Sequence, residues 1–229
     1  MSVTPYSELM GRLEGLDAAA LCDAAGVAGV TVGVVDPTIR RVSRGTRLIG
    51  PARLVICDLD FLDVWRGLSE AEAGEALLIA AASDRAVVGE LFTAEAARRG
   101  LAGIVVDGFC RDTAQLNGHE LPVYARGATP WAGTVNVARG SVEAVMLGGV
   151  VVRVGDLVFG DGDGVVIVPA AQVAELVPVA EEIQRREAAM LETVRRGGSI
   201  FDHTNLDEHY RRRAEGLPSR LEVRFSSTG

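Results

Sequence analysis

Two short stretches hold the residues best suited to chemistry. The first, residues 103–116, reads GIVVDGFCRDTAQL: apolar β-formers, then Asp107-Gly108, then Arg111-Asp112. Taken alone, an Arg-Asp pair reads as a turn, with the aspartate capping a helix that begins at Thr113 and the arginine solvated. Its place at the carboxyl end of a buried strand adds a second reading, because that edge of an open α/β sheet is where ligands bind. A guanidinium there suits two-point capture of a carboxylate. An adjacent aspartate suits a hard divalent cation with oxygen ligands. The second stretch is Gly89-Glu90-Leu91-Phe92, where a loop enters a helix. The first turn of a helix offers unpaired N–H groups and the positive end of the dipole. Glu90 is either a partner for that dipole or a neighbour of the metal, with the Leu91 and Phe92 amides holding substrate oxygens.

The composition narrows the chemistry further. The chain has no lysine: all 23 of its Lys+Arg residues are Arg. Schiff-base catalysis through a lysine amine is therefore closed to it, as is a Walker A phosphate loop. Carbonyl chemistry here needs a metal or hydrogen bonds as its electrophile. The three cysteines, Cys22, Cys57 and Cys110, form no CxxC or zinc spacing and read as buried free thiols. His119, His203 and His209 share no metal spacing, and Trp65 and Trp131 are too isolated for a nucleobase-stacking platform. GDGDG at 160–164 lacks the EF-hand positions and closing glutamate. RRRAEG at 211–216 reads as a solvated face.

These residues need elements to position them. A stripe of Leu9, Leu13, Leu16, Ala20 and Ala24 predicts a helix over 5–25. A strand is expected from Leu48, with the β-type run continuing through RLVICDLDFL. Ser69, with Glu72 three residues on, has the spacing of a capping box ahead of a strand at 76–81. GELFTAEAARRG predicts a helix stopped by Gly100, and AGIVVDG and LPVYARG predict short strands. From 134 to Pro169, Val-rich segments including GTVNVARG are separated by Gly-Asp turns and read as strands. A long helix follows over 170–196, carrying Pro178 near its start, with Val173, Leu176, Val177, Ala180, Ile183, Glu187 and Leu191 along one face. The tail shows no clear period.

The chain is 229 residues long and 48% hydrophobic, enough for a sizeable core. No apolar run approaches the roughly 18–20 residues of a membrane span, and the first residues lack a secretory pattern, so a cytoplasmic location without membrane contact is expected. A formal net charge of −8 with scattered arginines points away from nucleic acid.

GELFTAEAARRGLAGIVVDGFCRDTAQL, LCDAAG (21–26), IGPARLV (49–55), LPVYARGATP (121–130) and GGVVVRVGDLVFGDGDGVVIVP (148–169) occur in an order and spacing that resembles the RraA-like family. That family includes 4-hydroxy-4-methyl-2-oxoglutarate/4-carboxy-4-hydroxy-2-oxoadipate aldolases and a ribonuclease E regulator. The resemblance covers roughly residues 15–197. It implies a compact α/β/β architecture: one domain over 1–229, with its core at about 15–197, a C-terminal helical extension and a tail at 198–229. It implies a homotrimer or a homohexamer, and a pyruvate aldolase using Mg²⁺ or Mn²⁺ on a small 2-oxo acid substrate. Asp112 would bind the metal directly and Arg111 would contact the substrate's oxo and carboxylate oxygens. Glu90 would act on the metal through water, and the Gly89 turn would present the Leu91 and Phe92 amides to the carboxylate. Glu187 of a neighbouring subunit, or Glu192, would reach the metal through water.

Three positions depart from the family pattern: Gln115 replaces an acidic residue, Val154 a proline, and Gly162 interrupts an acidic pair. The competing reading is a non-catalytic regulator of ribonuclease activity that docks on a protein partner. The retained Asp112 favours the enzyme, which would cleave 4-hydroxy-2-oxo acids and decarboxylate oxaloacetate through one enolate. A methyltransferase is disfavoured, because no Gly-rich nucleotide loop follows the first strand.

Overall fold

A computed structural model describes residues 6–222. Pro5, which opens the predicted first helix, and the last seven residues of the tail lie outside that range. Two compact units divide the chain, Met1–Glu181 and Glu182–Gly229.

The first unit is built on a mixed sheet. Strands β3 (Leu48–Cys57), β4 (Ala76–Ala81), β6 (Gly103–Cys110) and β7 (Val123–Ala128) run parallel, each beside the next. Antiparallel neighbours extend the sheet on both sides. β10 (Leu157–Gly160), β11 (Val165–Val168) and β1 (Gly33–Val34) follow outward from β3, and β2 (Arg40–Arg41) flanks β7. A short β5 (Ala86–Val88) pairs with the end of β6. Strand periodicity sends adjacent side chains to opposite faces, and the central strands are apolar on both. Val55, Leu77, Ile79, Ile104 and Val106 pack with helices α3 (Leu62–Glu70) and α4 (Glu90–Arg98). Leu54, Leu78, Val105 and Tyr124 pack on the other face with the hairpin of β8 (Ala144–Leu147) and β9 (Val150–Arg153). Helices on one side and a hairpin on the other make the expected α/β/β arrangement. The β8–β9 turn, Gly148-Gly149, has positive φ at both residues, 54° and 80°, as a tight two-residue hairpin requires.

Several local expectations are corrected. The first helix is two: α1 (Tyr6–Leu13) and α2 (Ala18–Ala28). Asp17 starts the second by accepting a 2.7 Å hydrogen bond from the Ala20 amide. The apolar stripe survives the break, with Leu9, Leu13, Leu16, Ala20 and Ala24 all buried. The β-run ends at Cys57, and the chain turns through Asp58–Phe61 into α3, which sequence reading missed. Ser69 lies at the end of that helix rather than the start of another; its hydroxyl donates to the Arg66 carbonyl. GTVNVARG forms no strand, only a bridge between Thr134 and Asp60. Its backbone is pinned instead by two carboxylates: Asp60 accepts from the Thr134 hydroxyl and the Asn136 amide, both at 2.6 Å, and Asp63 from the Arg139 amide at 2.6 Å.

Pro169 ends the β region as expected. A 3₁₀ turn, Ala170–Gln172, leads into α6 (Val173–Arg195), whose buried residues are Val173, Leu176, Val177 and Ala180. In the second unit, the tail that showed no period contains a 3₁₀ turn (Ile200–His203) and helix α7 (Leu206–Ala214). Asp207 and Glu208 in its first turn and Arg211–Arg213 in its last complement the helix dipole. No helix among the described residues is long and apolar enough to cross a membrane.

Candidate active site

The strand carrying the site is longer than GIVVDG. β6 runs on through Phe109 to Cys110, with a register shift against β7 between Val106 and Phe109. Asp107 is therefore within the strand. Its carboxylate pairs with Arg126 and accepts from the Gly148 amide at 2.6 Å, tying the hairpin to the sheet. Arg111 leaves the strand end, its amide donating to the Val88 carbonyl of β5 at 3.0 Å. This bond brings the end of β6 beside the chain that enters α4.

Asp112 follows with φ 59° and ψ 40°, the one non-glycine residue at positive φ among the described residues. It precedes the four-residue helix α5 (Thr113–Leu116), yet its side chain makes no capping bond there. One carboxylate oxygen, Oδ2, instead accepts the Glu90 amide at 3.1 Å and lies 3.5 Å from Arg111 Nε. The left-handed backbone thus aims the carboxylate across the chain at α4, not down its own helix. Gly89 permits this approach: a Cβ there would collide with Asp112 Oδ2 and stand 3.0 Å from Arg111 Cγ. The fully buried Thr93 steadies the turn by donating its hydroxyl to the Gly89 carbonyl at 3.0 Å.

Gly89, Glu90, Arg111 and Asp112 are thereby brought together by two chain segments 22 residues apart. The Leu91 and Phe92 amides belong to the first turn of α4 and have no acceptor among the described residues. Glu187 and Glu192 lie in the second unit on the exposed part of α6, and Glu192 pairs with Arg196 at 2.8 Å.

Gly89, Arg111 and Asp112 open onto a cavity of about 960 Å³. Its wall is largely apolar and includes Phe61, Trp65, Phe92 and Val135. Phe92 sits edge-on to both other rings, 5.9 Å from Phe61 and 4.9 Å from Trp65 between centroids. Phe61 was missed as a site residue because its segment read as a strand, and Trp65 because it was read as isolated, whereas their i, i+4 spacing lines them up at the start of α3. Of the three thiols expected to be buried and free, Cys57 and Cys110 are, whereas Cys22 is free but only half-buried; burial pushes Cys57 up to about 12.

No group of three or more His, Cys, Asp or Glu suited to holding a metal occurs among the described residues. A closed zinc-type centre is thus not what these side chains build. Asp112 by itself offers an oxygen, Oδ1, that accepts no hydrogen bond from the described residues, at the wall of an open cavity. That donor set fits a hard cation that keeps most of its waters and takes its remaining ligands from substrate.

An α/β/β sheet whose carboxyl edge sets an Arg-Asp pair against the amino end of a helix defines a class of fold, not yet one activity. The chain belongs to the RraA-like family (Aldolase/RraA), whose pattern matches residues 18–167. A protein of Halalkalibacterium halodurans provisionally named 4-hydroxy-4-methyl-2-oxoglutarate aldolase is 33% identical over 156 residues, 66% of this chain and 74% of that one. A solved structure of an uncharacterised protein from Pseudomonas syringae pv. tomato superposes with a TM-score of 0.73 at 26% identity, covering 86% of this chain and 97% of that one. The RNA-processing inhibitor RraA of Thermus thermophilus gives 0.60 at 25% identity, over 65% and 92%.

Proposed function

We propose that this protein is a divalent-metal-dependent aldolase that cleaves a 4-hydroxy-2-oxo acid to pyruvate and a second carbonyl compound. The observation that carries the reading is the turn of Asp112 out of its own helix and onto the Glu90 amide, beside Arg111 and at the edge of a large cavity. The similarity to a relative named as such an aldolase supports it. In the reaction the C3–C4 bond breaks and the C4 hydroxyl loses its proton to become a carbonyl. The electron pair of the broken bond forms the enolate of pyruvate, which then takes a proton at C3. Decarboxylation of oxaloacetate passes through the same enolate.

In this reading Asp112 holds Mg²⁺ or Mn²⁺, which supplies Lewis-acid stabilisation of the enolate worth several kcal/mol. Arg111 presents a planar donor fork to the oxo oxygen as its charge grows. The first-turn amides of Leu91 and Phe92 receive the carboxylate, with Gly89 shaping the turn and the positive end of α4 favouring an anion. Glu90, exposed at the first position of α4, would add a carboxylate that orders water. Glu187 does the same from a neighbouring subunit, within a homotrimer or homohexamer.

The test is pyruvate release from a panel of 4-hydroxy-2-oxo acids and oxaloacetate, with Mn²⁺ and with EDTA, for the wild type and Asp112→Asn. The amide can keep the Glu90 hydrogen bond and tolerates left-handed backbone, so the fold should persist while activity falls at least a hundredfold. Unchanged turnover in the variant, or indifference to EDTA, would overturn the metal reading. The similarity to the Thermus inhibitor motivates one further arm: tight binding to a ribonuclease by a protein without turnover would favour the regulator.

A further inference from the structure

The cavity is far larger than a pyruvate unit needs, and its far wall differs in chemistry from the Arg111–Asp112 end. Resting on the aldolase reading, we infer that the C4 substituent of the substrate is an apolar group of aromatic size and not a second carboxylate. The released product is then an apolar aldehyde or ketone, with the bond changes given above.

Beyond Asp112 the wall is formed by Phe61, Leu62, Trp65, Leu68, Phe92 and Val135. The volume, about 960 Å³, is at the upper end for small-ligand sites, which are mostly apolar with a few placed polar groups. Three aromatic rings meeting edge-on leave ring surface for a flat apolar guest. The charged groups of the far wall are partly engaged by the protein itself. Glu95 lines it as a carboxylate, both oxygens held by Arg98 at 2.7 and 2.6 Å, and those bonds keep its carboxyl below the usual range. Arg99, the cation at that end, donates Nη2 to the Ser69 and Ala71 carbonyls at 2.8 and 3.0 Å, and its Nε is buried without a hydrogen-bond partner among the described residues. A distal carboxylate would be desolvated against aromatic carbon. An aryl or branched alkyl group would bury apolar area instead.

The experiment compares kcat/KM for 4-hydroxy-2-oxo-4-phenylbutanoate, 4-hydroxy-4-methyl-2-oxoglutarate and oxaloacetate, and measures binding of phenylpyruvate against 2-oxoglutarate by calorimetry. The phenyl substrate should exceed the dicarboxylate at least tenfold, and phenylpyruvate should bind at least tenfold more tightly. Trp65→Ala should lower the ratio of phenyl substrate to oxaloacetate turnover at least fivefold, and Trp65→Phe should restore most of it. Trp65 is 55% exposed in the chain, so truncation leaves the core intact. Oxaloacetate turnover with no phenyl preference, or equal binding of the two acids, overturns the inference and leaves the aldolase reading standing. Loss of every turnover with phenylpyruvate still preferred overturns the aldolase reading and supports the apolar site. A Trp65→Ala protein that changes only in oligomer size, with its substrate ratio intact, assigns the wall to a second copy of the chain and overturns the inference.

Discussion

At the residue scale, the site depends on how closely Gly89 and Asp112 approach. Gly89→Ala places a methyl in collision with Asp112 Oδ2. The carboxylate must swing away or the turn must open. Since the obstacle is a side-chain end, the fold should survive with a loss of about 1–3 kcal/mol, the usual range for overpacking. Pyruvate release should nonetheless fall at least thirtyfold, and retention of wild-type kcat/KM would show that the Gly89–Asp112 approach is not needed. Arg111 tests a different property. Its guanidinium is partly exposed beside Asp112, and lysine would preserve charge but not the planar fork. Arg111→Lys should lose more than tenfold in kcat/KM, about 1.4 kcal/mol of transition-state stabilisation. A smaller loss would remove Arg111 as the partner of the developing oxyanion.

At the element scale, the segment after Thr134 is held to the start of α3 by carboxylates and not by strand pairing. Burial alone would raise the Asp60 carboxyl. Hydrogen bonds from Thr134, Asn136 and Leu62 outweigh it and hold the group at about 2. An unfolded aspartate titrates near 3.9. The stabilisation from this clasp is therefore complete above that value and is lost as pH falls from roughly 4 through about 2. Asp60→Asn should lower Tm at pH 7 and flatten its fall between pH 4 and 2; parallel melting profiles of variant and wild type would refute the clasp. Because Val135 lines the cavity, the variant should also change KM more than kcat.

At the scale of the whole molecule, the face of α6 is the telling feature. The chain buries Val173, Leu176, Val177 and Ala180, but Leu191 and Val194 further along are 51% and 47% exposed. Glu187, expected on that face, is exposed as well. If it completes the site of another subunit, Asp112→Ala and Glu187→Ala proteins, each inactive, should recover partial activity when dissociated, mixed and reassembled. Recovery requires some sites with Asp112 from one chain and Glu187 from another, as a ring of heterologous contacts provides. No recovery despite demonstrated subunit exchange would leave Glu187 as surface charge.

Sequence alone determined what depends on local pattern and residue chemistry. The absence of lysine closes one route to carbonyl chemistry whatever the fold. The β-type run from Leu48, read as continuing to Leu62, and the apolar runs at 76–81 and 103–106 predict the central strands because a sheet covered on both faces must be largely apolar on both. Gly100, with φ 74°, stops α4 where a left-handed residue was expected. The tertiary structure decided the rest, because it depends on contacts between distant segments. The alternation of Asp58-Leu59-Asp60-Phe61 reads as a strand carried past Cys57, so the turn into α3 was hidden, and with it the aromatic wall. GTVNVARG alternates like a strand, yet its Asn136 and Arg139 amides go to Asp60 and Asp63, more than 70 positions away in the chain. The capping role expected of Asp112 suited its neighbours in sequence. Its left-handed backbone and the Glu90 amide, brought near by the pairing of β5 with β6, turned the carboxylate to the cavity instead.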